Sequence, residues 1–446
     1  MPQAHQVKVA DGPSYADVFR TFGKIGLINF GGPAGQIALM HRILVDEKRW
    51  IDDEGYLRAL NFCALLPGPE AQQLATYIGW RLMGVRGGLT AGLLFVGPGA
   101  VVILALSILY AYAANLGPVS AALLGVKAAV LAIVCEALLR VAKRALNAPL
   151  KLGIAAAAFA ALFLFKAPFP AVVLAAALIG LLATHLDPSL LKLKASAPAP
   201  SAEPLPPLAA KALATALGWA AVWAAPLLTV FLLFGQDHIL FQIGLFFSKL
   251  ALVTFGGAYA VLAYMAQEAV SLHGWLKPGE MVDGLGLAES TPGPLIMVTE
   301  YVGFLAAFRA PQPFAPLVAG VIGAALTVWV TFAPCFLWIF TGAPFIERLE
   351  HARRVQGALA AITAAVVGVI ANLAVWFGLH VLFRSFETLR LGALSISLPD
   401  PLTLDWRAAV MSLVAAVLLL RLHIGVLKTL GVAVAMGLAF YLAGLG

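Results

Sequence analysis

The chain has 446 residues, of which 61% are hydrophobic and only 11% are charged, and its formal net charge is +7. Soluble domains carry about 25% charged residues, so this chain has too few polar side chains to cover a surface that faces water. Its basic residues are scattered over short loops rather than gathered in a patch. That pattern orients membrane proteins and argues against nucleic-acid binding. The composition predicts an all-α polytopic membrane protein.

Apolar segments recur along the chain at lengths that approach or exceed the roughly 20 residues of a membrane-spanning helix. About nine of them are expected to cross fully: 89–112, 120–140, 153–165, 169–185, 212–235, 314–341, 356–383, 407–421 and 425–444. Residues 191–211 are rich in Pro, Ala and Ser and predict an exposed linker. The predicted organisation is an N-terminal tail at 1–17, a first repeat at 18–190, the linker at 191–211 and a second repeat at 212–446.

The two halves share a sequence pattern at a constant spacing of 225 residues, and residues 22–69 align with 247–294 without a gap. The matched pairs include Phe22/Phe247, Lys24/Lys249, Phe30/Phe255, Gly31/Gly256, Gly32/Gly257, Met40/Met265, Trp50/Trp275 and the triplets Pro67-Gly68-Pro69/Pro292-Gly293-Pro294. Chance similarity between two segments rich in Leu and Ala would not align Trp, Lys, paired Gly and Pro-Gly-Pro in one register. The pattern therefore predicts an internal duplication.

Basic residues in the loops predict that the two halves are inserted in opposite orientations. Loop 41–58 holds four Lys or Arg, but its counterpart 266–283 holds only Lys277. Connection 113–119 holds none, but its counterpart 342–355 holds Arg348, Arg353 and Arg354. Because basic loops stay in the cytoplasm, the reversal indicates an inverted-topology repeat, as in many secondary transporters. Segments 59–80 and 18–40 are then expected to enter and return as re-entrant hairpins, and full crossing is the alternative.

Glycine and proline interrupt the apolar segments at four places, in matched register. The predicted breaks are Gly31-Gly32-Pro33, Pro67-Gly68-Pro69, Gly256-Gly257 and Pro292-Gly293-Pro294. Proline removes a backbone donor and glycine permits turns, so each break ends one helix and starts another. The freed N–H groups must face protein or a polar cavity, and a half-helix N-terminus favours an anion. These residues are therefore candidates for an anion site near the midplane; the alternative is that they only allow kinks and close packing.

Charged residues within apolar segments are further candidates, since charge is costly at membrane depth. Lys24, Lys127 and Lys249 are candidates for binding the anion, with snorkelling to the headgroups as the alternative. Glu70, Glu289 and Glu300 lie near the Pro-Gly-Pro breaks and are candidates for carrying a coupling proton; the alternative is that they form salt bridges with the lysines. The sequence contains no catalytic triad, phosphate-binding loop or zinc motif, so neither an enzyme nor an ATP-driven pump is expected, and no catalytic residue or cofactor is assigned.

The combination of motifs resembles the chromate ion transporter family in its long, two-domain form. The resemblance rests on "NFGGPAGQI" from Asn29, a loop containing Trp50, and "LPGPE" from Leu66. A second copy of the pattern begins with "TFGGAYAVL" from Thr254. The resemblance implies efflux of chromate across the inner membrane, driven by the electrochemical gradient, with sulfate as the competing oxyanion. In the second copy Ala258 stands in place of the proline and Leu295 in place of the glutamate, so the two half-sites are not expected to be equivalent.

The alternatives left open are a transporter or channel for sulfate or another inorganic anion, and a membrane-embedded enzyme that acts on lipids. The enzyme would need acidic or histidine groups that converge at one membrane face, and the acidic cluster "DEKRWIDDE" at 46–54 has the mixed charges of a solvated loop. The expected partners are chromate or sulfate, protons as the coupling ion, and membrane lipids, with a homodimer left open. No nucleic acid and no metal site is expected.

Overall fold

The computed structural model describes residues 13–30, 32–193, 206–255, 258–343, 353–391 and 394–445. Gly31, Gly256, Gly257, Arg348 and most of the predicted linker lie outside these residues, and so do residues 1–12 of the predicted tail. Within the described residues, six helices are long and apolar enough to cross a membrane. The fold is almost entirely helical, as the composition predicts.

The described part of the first half consists of seven helices. They are α1 (Tyr15–Ile28), α2 (Gly32–His41), α3 (Asp53–Leu65), α4 (Glu70–Ala113), α5 (Gly117–Ala145), α6 (Pro149–Phe165) and α7 (Phe169–Leu186). Ser14 and Asp17 form a capping box that starts α1. Helices α5, α6 and α7 each carry proline in the first turn, where its missing N–H does no harm. A π-helical turn, Arg42–Glu47, follows α2.

The described part of the second half consists of nine helices and one hairpin. The elements are α8 (Pro206–Phe234), α9 (Ile239–Val253), α10 (Ala258–Ala266), α11 (Pro278–Glu289), α12 (Val298–Arg309), α13 (Pro316–Gly342), α14 (Arg353–Leu382), β1 (Phe386–Leu391), β2 (Leu394–Pro399), α15 (Trp406–Ala416) and α16 (Val426–Leu442). A π-helical turn, Gln267–Leu272, follows α10 just as one follows α2. The antiparallel hairpin, in which Phe386 pairs with Pro399, is not predicted by the sequence analysis.

Helix α4 is bent sharply and consists of two arms. Met83 and Gly84 have non-helical backbone angles, and they separate α4a (residues 70–82) from α4b (residues 85–113). The arms pack so closely that a Cβ atom on Gly79 would lie 2.4 Å from the carbonyl oxygen of Gly87. At 1.5 Å per residue α4a is about 20 Å long, less than the roughly 30 Å hydrocarbon core. It is therefore too short to cross the membrane by itself.

Helix α3 approaches the Pro67-Gly68-Pro69 break and α4a leads away from it on the same side. A Cβ atom on Gly55 would lie 3.3 Å from the Arg81 guanidinium, and the rings of Phe62 and Tyr77 are 5.9 Å apart. These contacts pair the start of α3 with the end of α4a, so segment 59–80 turns back at its break. This is the geometry that the expected re-entrant hairpin requires.

The second half repeats this packing with α12 and α13 in place of α4a and α4b. Gly303 packs against Gly323 and Thr327, as Gly79 packs against Gly87 and Ala91. Pro334 interrupts α13 as Pro98 interrupts α4b, 236 residues earlier in the chain. The halves therefore share an order of elements and the contacts within it.

Helices α5 and α14 pack together in antiparallel orientation. Gly378, near the end of α14, adjoins Leu131, whereas the earlier Val367 packs with Ala145 at the end of α5. The C-terminal ends of the two helices consequently lie at opposite ends of the pair. Helices α6 and α7 pack on α14, and α15 and α16 pack on α5. One buried apolar cluster extends through both halves of the chain.

Candidate anion site at the crossing of the broken helices

The breaks of the two halves meet at the centre of the molecule. The N–H of Gly68 donates to the carbonyl oxygen of Thr254 at 2.9 Å, and the N–H of Gly293 donates to Oδ1 of Asn29 at 2.6 Å. Asn29 and Thr254 occupy matched positions, one just before each Gly-Gly pair. Gly68 has φ 118° and Gly293 has φ 108°, values that favour glycine. The two Pro-Gly-Pro breaks, predicted from sequence, are thus brought together with the segments that precede the Gly-Gly pairs.

Buried glutamine side chains tie the crossing together, and the sequence analysis missed them. The Gln36 amide donates to the carbonyl oxygens of Asn29 at 3.1 Å and Gly293 at 2.5 Å. The Gln73 amide donates to the carbonyl oxygen of Pro67 at 2.7 Å. The Oε1 atoms of both glutamines are buried and have no partner among the described residues. Because buried polar atoms almost always have a partner, these oxygens indicate water or a polar ligand at the crossing. Their signal in the sequence is an amide within an apolar segment.

A larger cavity opens beside the crossing, and we call it the arginine vestibule. Its volume is about 300 Å³, and its lining includes Pro33, Glu70, Arg140, Arg144 and Tyr259. Pro33 lies in the first turn of α2 and Glu70 is the first residue of α4, so two half-helix N-termini border the vestibule. A smaller cavity of about 20 Å³, the size of one water molecule, lies at the crossing itself between Gly68, Thr254 and Pro294.

The vestibule carries positive charge that the sequence analysis assigned only to loop orientation. Arg140 pairs with Glu136 one turn earlier on α5. Arg144, one turn further along, is exposed and has no acidic partner among the described residues. Backbone N–H groups at helix N-termini and guanidinium groups are the donors that bind tetrahedral oxyanions. The arrangement can therefore hold a small, doubly charged anion between α2, α4 and α5.

Two of the three candidate proton carriers lie at this vestibule. Glu70 is half-buried and lines both the vestibule and the small central cavity. Glu289, only 4% exposed, accepts a hydrogen bond from the hydroxyl of Tyr259 at 2.7 Å, and Tyr259 lines the vestibule. Glu300 is 3% exposed and lines a separate apolar cavity of about 460 Å³ between α4, α8 and α13. The structure therefore places Glu70 in the lining of the vestibule, connects Glu289 to that lining through Tyr259, and places Glu300 at a separate cavity.

The three candidate lysines are not brought together. Lys24 and Lys249 lie on exposed faces of α1 and α9 and line neither the arginine vestibule nor the small cavity at the crossing. Lys127 places Nζ 3.2 Å from Oδ2 of Asp283, which also accepts a hydrogen bond from the hydroxyl of Tyr110 at 2.8 Å. The assignment of these lysines to the anion site stays a prediction.

Asp283 is a buried partner that the sequence analysis did not identify. It is 2% exposed, and its Oδ1 atom has no partner among the described residues. Gly279 leaves room for the lysine, because a Cβ atom there would lie 3.2 Å from Nζ of Lys127. The pair joins α5 to α11 about 20 Å along α5 from Arg140, as 1.5 Å per residue implies. Only the fold reveals it, since the partners are far apart in sequence.

Comparison with known proteins gives consistent matches over most of the chain. A family model described as chromate transporter matches residues 16–181 and 241–441. A chromate transport protein of Pseudomonas aeruginosa is 36% identical over 363 residues, which is 80% of this chain and 79% of the relative. A chromate transport protein of Cupriavidus metallidurans is 29% identical over 78% of this chain and 79% of the relative. A probable chromate transport protein of Synechococcus elongatus is 27% identical over 87% of this chain and 93% of the relative. No solved structure matches the chain.

The two matched regions contain the crossing and its vestibule. Asn29, Gly68 and Arg144 fall in the first region, and Thr254 and Gly293 fall in the second. The matches and the six long apolar helices together identify a multi-pass membrane protein. The chain belongs to the chromate transporter family.

Proposed function

We propose that the protein is a secondary active transporter that exports chromate across the inner membrane and couples export to the proton gradient. The observation that carries this proposal is the arginine vestibule, where two half-helix N-termini and two arginines border one cavity beside the crossing of the breaks. The names of the relatives from Pseudomonas aeruginosa and Cupriavidus metallidurans support chromate as the anion.

Chromate is a divalent tetrahedral oxyanion, and the donors at the vestibule suit that charge and shape. Planar guanidinium groups such as those of Arg140 and Arg144 bind oxyanions through paired N–H donors. Backbone N–H groups at the starts of α2 and α4 add donors that need no side-chain ordering. Sulfate has the same charge and shape, so we propose it as a competing ligand.

Glu70 supplies a physical reason for proton coupling. A charged carboxylate repels an oxyanion in the same cavity, by about 4 kcal/mol for each pair of unit charges 4 Å apart at an effective dielectric constant of 20. Protonation of Glu70 removes that repulsion and deprotonation restores it, so the charge on Glu70 determines when the anion is bound and when it is released. The Glu289–Tyr259 pair is a second carrier at the same vestibule, and Glu300 stays a candidate at its own cavity.

We further propose that the repeats at 18–190 and 212–446, on either side of the linker 191–211, are inserted with opposite topology. The matched bonds of Gly68 to Thr254 and of Gly293 to Asn29 support a pseudo-twofold relation at the crossing. Cysteine accessibility of residues 41–58 compared with 266–283 tests the orientation. The introduced cysteines are placed in a variant that lacks Cys63, Cys135 and Cys335. Labelling of both loops from one side of the membrane would refute opposite insertion.

Transport in everted membrane vesicles tests the function directly. The cytoplasmic face of the protein faces the outer solution in such vesicles, so an exporter accumulates labelled chromate inside. We expect accumulation that requires an imposed proton gradient, does not require ATP and is inhibited by sulfate. Absence of uptake under any imposed gradient, with the protein present in the membrane, contradicts the proposal.

A further inference from the structure

A second cavity, with several polar side chains among its lining residues, lies away from the arginine vestibule. It has a volume of about 280 Å³ and lies between the C-terminal half of α14, the end of α6, and α10 with its π-helical turn. Lys166, Gln267, Asn372, Trp376 and His380 line it, and no Asp or Glu occurs among its described lining residues. The cavity is thus close in size to the arginine vestibule and has no negative charge in its lining.

The internal repeat relates the two cavities. Pro98 and Pro334 are 236 residues apart, and the same spacing separates Gly87 and Gly323, which make matched contacts in the two halves. At this spacing Arg140 in the first half corresponds to Trp376 in the second half, and Arg144 corresponds to His380. Each residue of these two pairs lines its own cavity. One face of α5 therefore lines the arginine vestibule, and the equivalent face of α14 lines the second cavity.

The antiparallel packing of α5 and α14 places the two cavities at opposite ends of that helix pair. The arginine vestibule is at the C-terminal end of α5, and the second cavity is at the C-terminal end of α14. The second cavity also includes Pro278, next to Gly279 at the Lys127–Asp283 pair. That ion pair joins α5 to α11 at the same end as the second cavity.

The polar groups of the second cavity suit an anion, but they provide fewer N–H donors than the two arginines do. Lys166 has no acidic partner among the described residues, and its Nζ lies 5.5 Å from the ring centroid of Phe163. The Gln267 amide lies 3.4 Å from the carbonyl oxygens of Lys166 and Ala167. These contacts hold the end of α6 beside the π-helical turn that follows α10. Nδ1 of His380 donates to the Trp376 carbonyl at 2.9 Å, so a neutral ring has no second N–H donor to offer. The second cavity has one lysine and the Asn372 amide in its lining, whereas the arginine vestibule has two arginines.

We propose that this second cavity, lined by Lys166, Asn372 and His380, is a weaker binding site for a tetrahedral oxyanion at the opposite face of the membrane, from which the anion leaves. The inference rests on the proposed transport function, because it uses the same ligand and the same path. The second cavity offers one ammonium and one amide in place of the paired N–H donors of two guanidinium groups, and these fewer directed donors make the affinity lower at the exit. Easier release follows from the lower affinity.

Two membrane preparations separate the two sites. Anion exchange is measured with labelled sulfate and chromate in everted vesicles, which present the cytoplasmic face, and in right-side-out vesicles, which present the other face. A charged hydrogen bond is worth about 1.5 kcal/mol or more, which corresponds to about a tenfold change in affinity. Lys166→Gln is expected to raise the KM about tenfold in right-side-out vesicles and to leave the KM in everted vesicles unchanged. Arg144→Gln is expected to raise the KM about tenfold in everted vesicles and to leave the KM in right-side-out vesicles unchanged. Lys166→Arg is expected to keep the wild-type KM in both preparations.

Protection from labelling provides a readout that does not depend on transport. Asn372→Cys, in a variant without the native cysteines, is expected to react with a membrane-impermeant maleimide added to the outer solution of right-side-out vesicles. Sulfate is expected to slow this reaction. Sulfate is used because chromate oxidises thiols. For the KM measurements, Lys428→Gln, at an exposed lysine that lines neither the second cavity nor the arginine vestibule, is the matched control for Lys166→Gln.

The results that overturn the inference differ from those that overturn the function. If Lys166→Gln changes both KM values equally or neither of them while the wild-type protein transports chromate, the second site is wrong and the transport function stands. The inference also fails if sulfate does not slow the labelling of Asn372→Cys. Absence of chromate transport in both preparations overturns the proposed function and the inference together.

Discussion

The amide of Gly68 in the first half donates its hydrogen to the carbonyl oxygen of Thr254 in the second half, at 2.9 Å. The matched bond runs from Gly293 to Asn29 in the opposite direction between the halves. Each Pro-Gly-Pro break is therefore held by the segment that precedes the other half's Gly-Gly pair. Because the bonds involve backbone groups freed by the breaks, they satisfy donors that lipid cannot satisfy. The crossing fixes the half-helix ends around the proposed anion path.

Substitution of the crossing glycines is expected to reduce transport strongly. A Cβ atom on Gly68 would lie 2.9 Å from Nε2 of Gln73 and 3.1 Å from Sγ of Cys335, and its φ of 118° is unfavourable for alanine. Backbone strain of this kind costs about 1–3 kcal/mol. Gly68→Ala and Gly293→Ala should lower the melting temperature in detergent and reduce chromate uptake by at least about tenfold. Gly23→Ala on α1, where a Cβ atom meets nothing within 4 Å, is the control. Wild-type uptake in both crossing variants would contradict the proposed crossing.

The vestibule arginines are expected to determine affinity at the cytoplasmic face. Arg144→Gln should raise the KM for chromate about tenfold in everted vesicles, because a charge-assisted hydrogen bond is lost. Arg140→Gln should have a smaller effect on KM, since Arg140 is already paired with Glu136. Lys143→Gln, an exposed neighbour that lines none of the cavities, serves as the control for net charge. An equal increase of KM in the Lys143 and Arg144 variants would indicate a general surface effect rather than a site.

Neutralising the carboxylates is expected to separate coupling from anion movement. Glu70→Gln should retain exchange of labelled sulfate for chromate but lose accumulation driven by a proton gradient, because the group that binds the proton is gone. Glu289→Gln should weaken accumulation partially, since Tyr259 still holds the side chain. Glu300→Gln is the comparison at a separate cavity. If all three variants accumulate chromate as the wild type does, none of these carboxylates carries the coupling proton.

The Lys127–Asp283 pair, in which Asp283 is buried and Lys127 is half-buried, is expected to behave as one unit. Removing one partner of a buried ion pair costs about 3 kcal/mol or more, because it leaves the other charge unpaired. Lys127→Met and Asp283→Asn should therefore each lower thermal stability, and the double variant should be destabilised by much less than the sum. A double-mutant cycle of melting temperatures in detergent measures this coupling. Additive effects would show that the 3.2 Å contact carries no coupling energy.

Lys24 and Lys249 provide a test of the lysines predicted from sequence. Arg144 lines the arginine vestibule and neither lysine does, so Lys24→Ala and Lys249→Ala should change the KM for chromate less than Arg144→Gln does. Membrane insertion, measured by the amount of protein in the membrane fraction, should not change. An increase in KM as large as that of Arg144→Gln would place these lysines in the anion path after all.

Local signals in the sequence predict the breaks, the repeat and most of the helices. Gly68 and Gly293 act through their own backbone angles, which sequence alone can indicate. The Lys127–Asp283 pair and the position of Arg144 beside Glu70 depend on how distant helices pack, which no local pattern specifies. The hairpin 386–399 had a signal that the sequence analysis missed, because apolar residues alternate with serine in "LSISL" from Leu394. The exposure of Lys24 and Lys249 likewise follows from helix rotation in the fold.

Equilibrium binding of labelled chromate to the purified protein tests most directly whether the arginine vestibule holds the transported anion. We expect one saturable site at the cytoplasmic face that sulfate competes for, and an affinity at least about tenfold lower in the Arg140→Gln/Arg144→Gln double variant, with unchanged melting temperature. Undiminished chromate affinity in that folded double variant would contradict the assignment of the anion site.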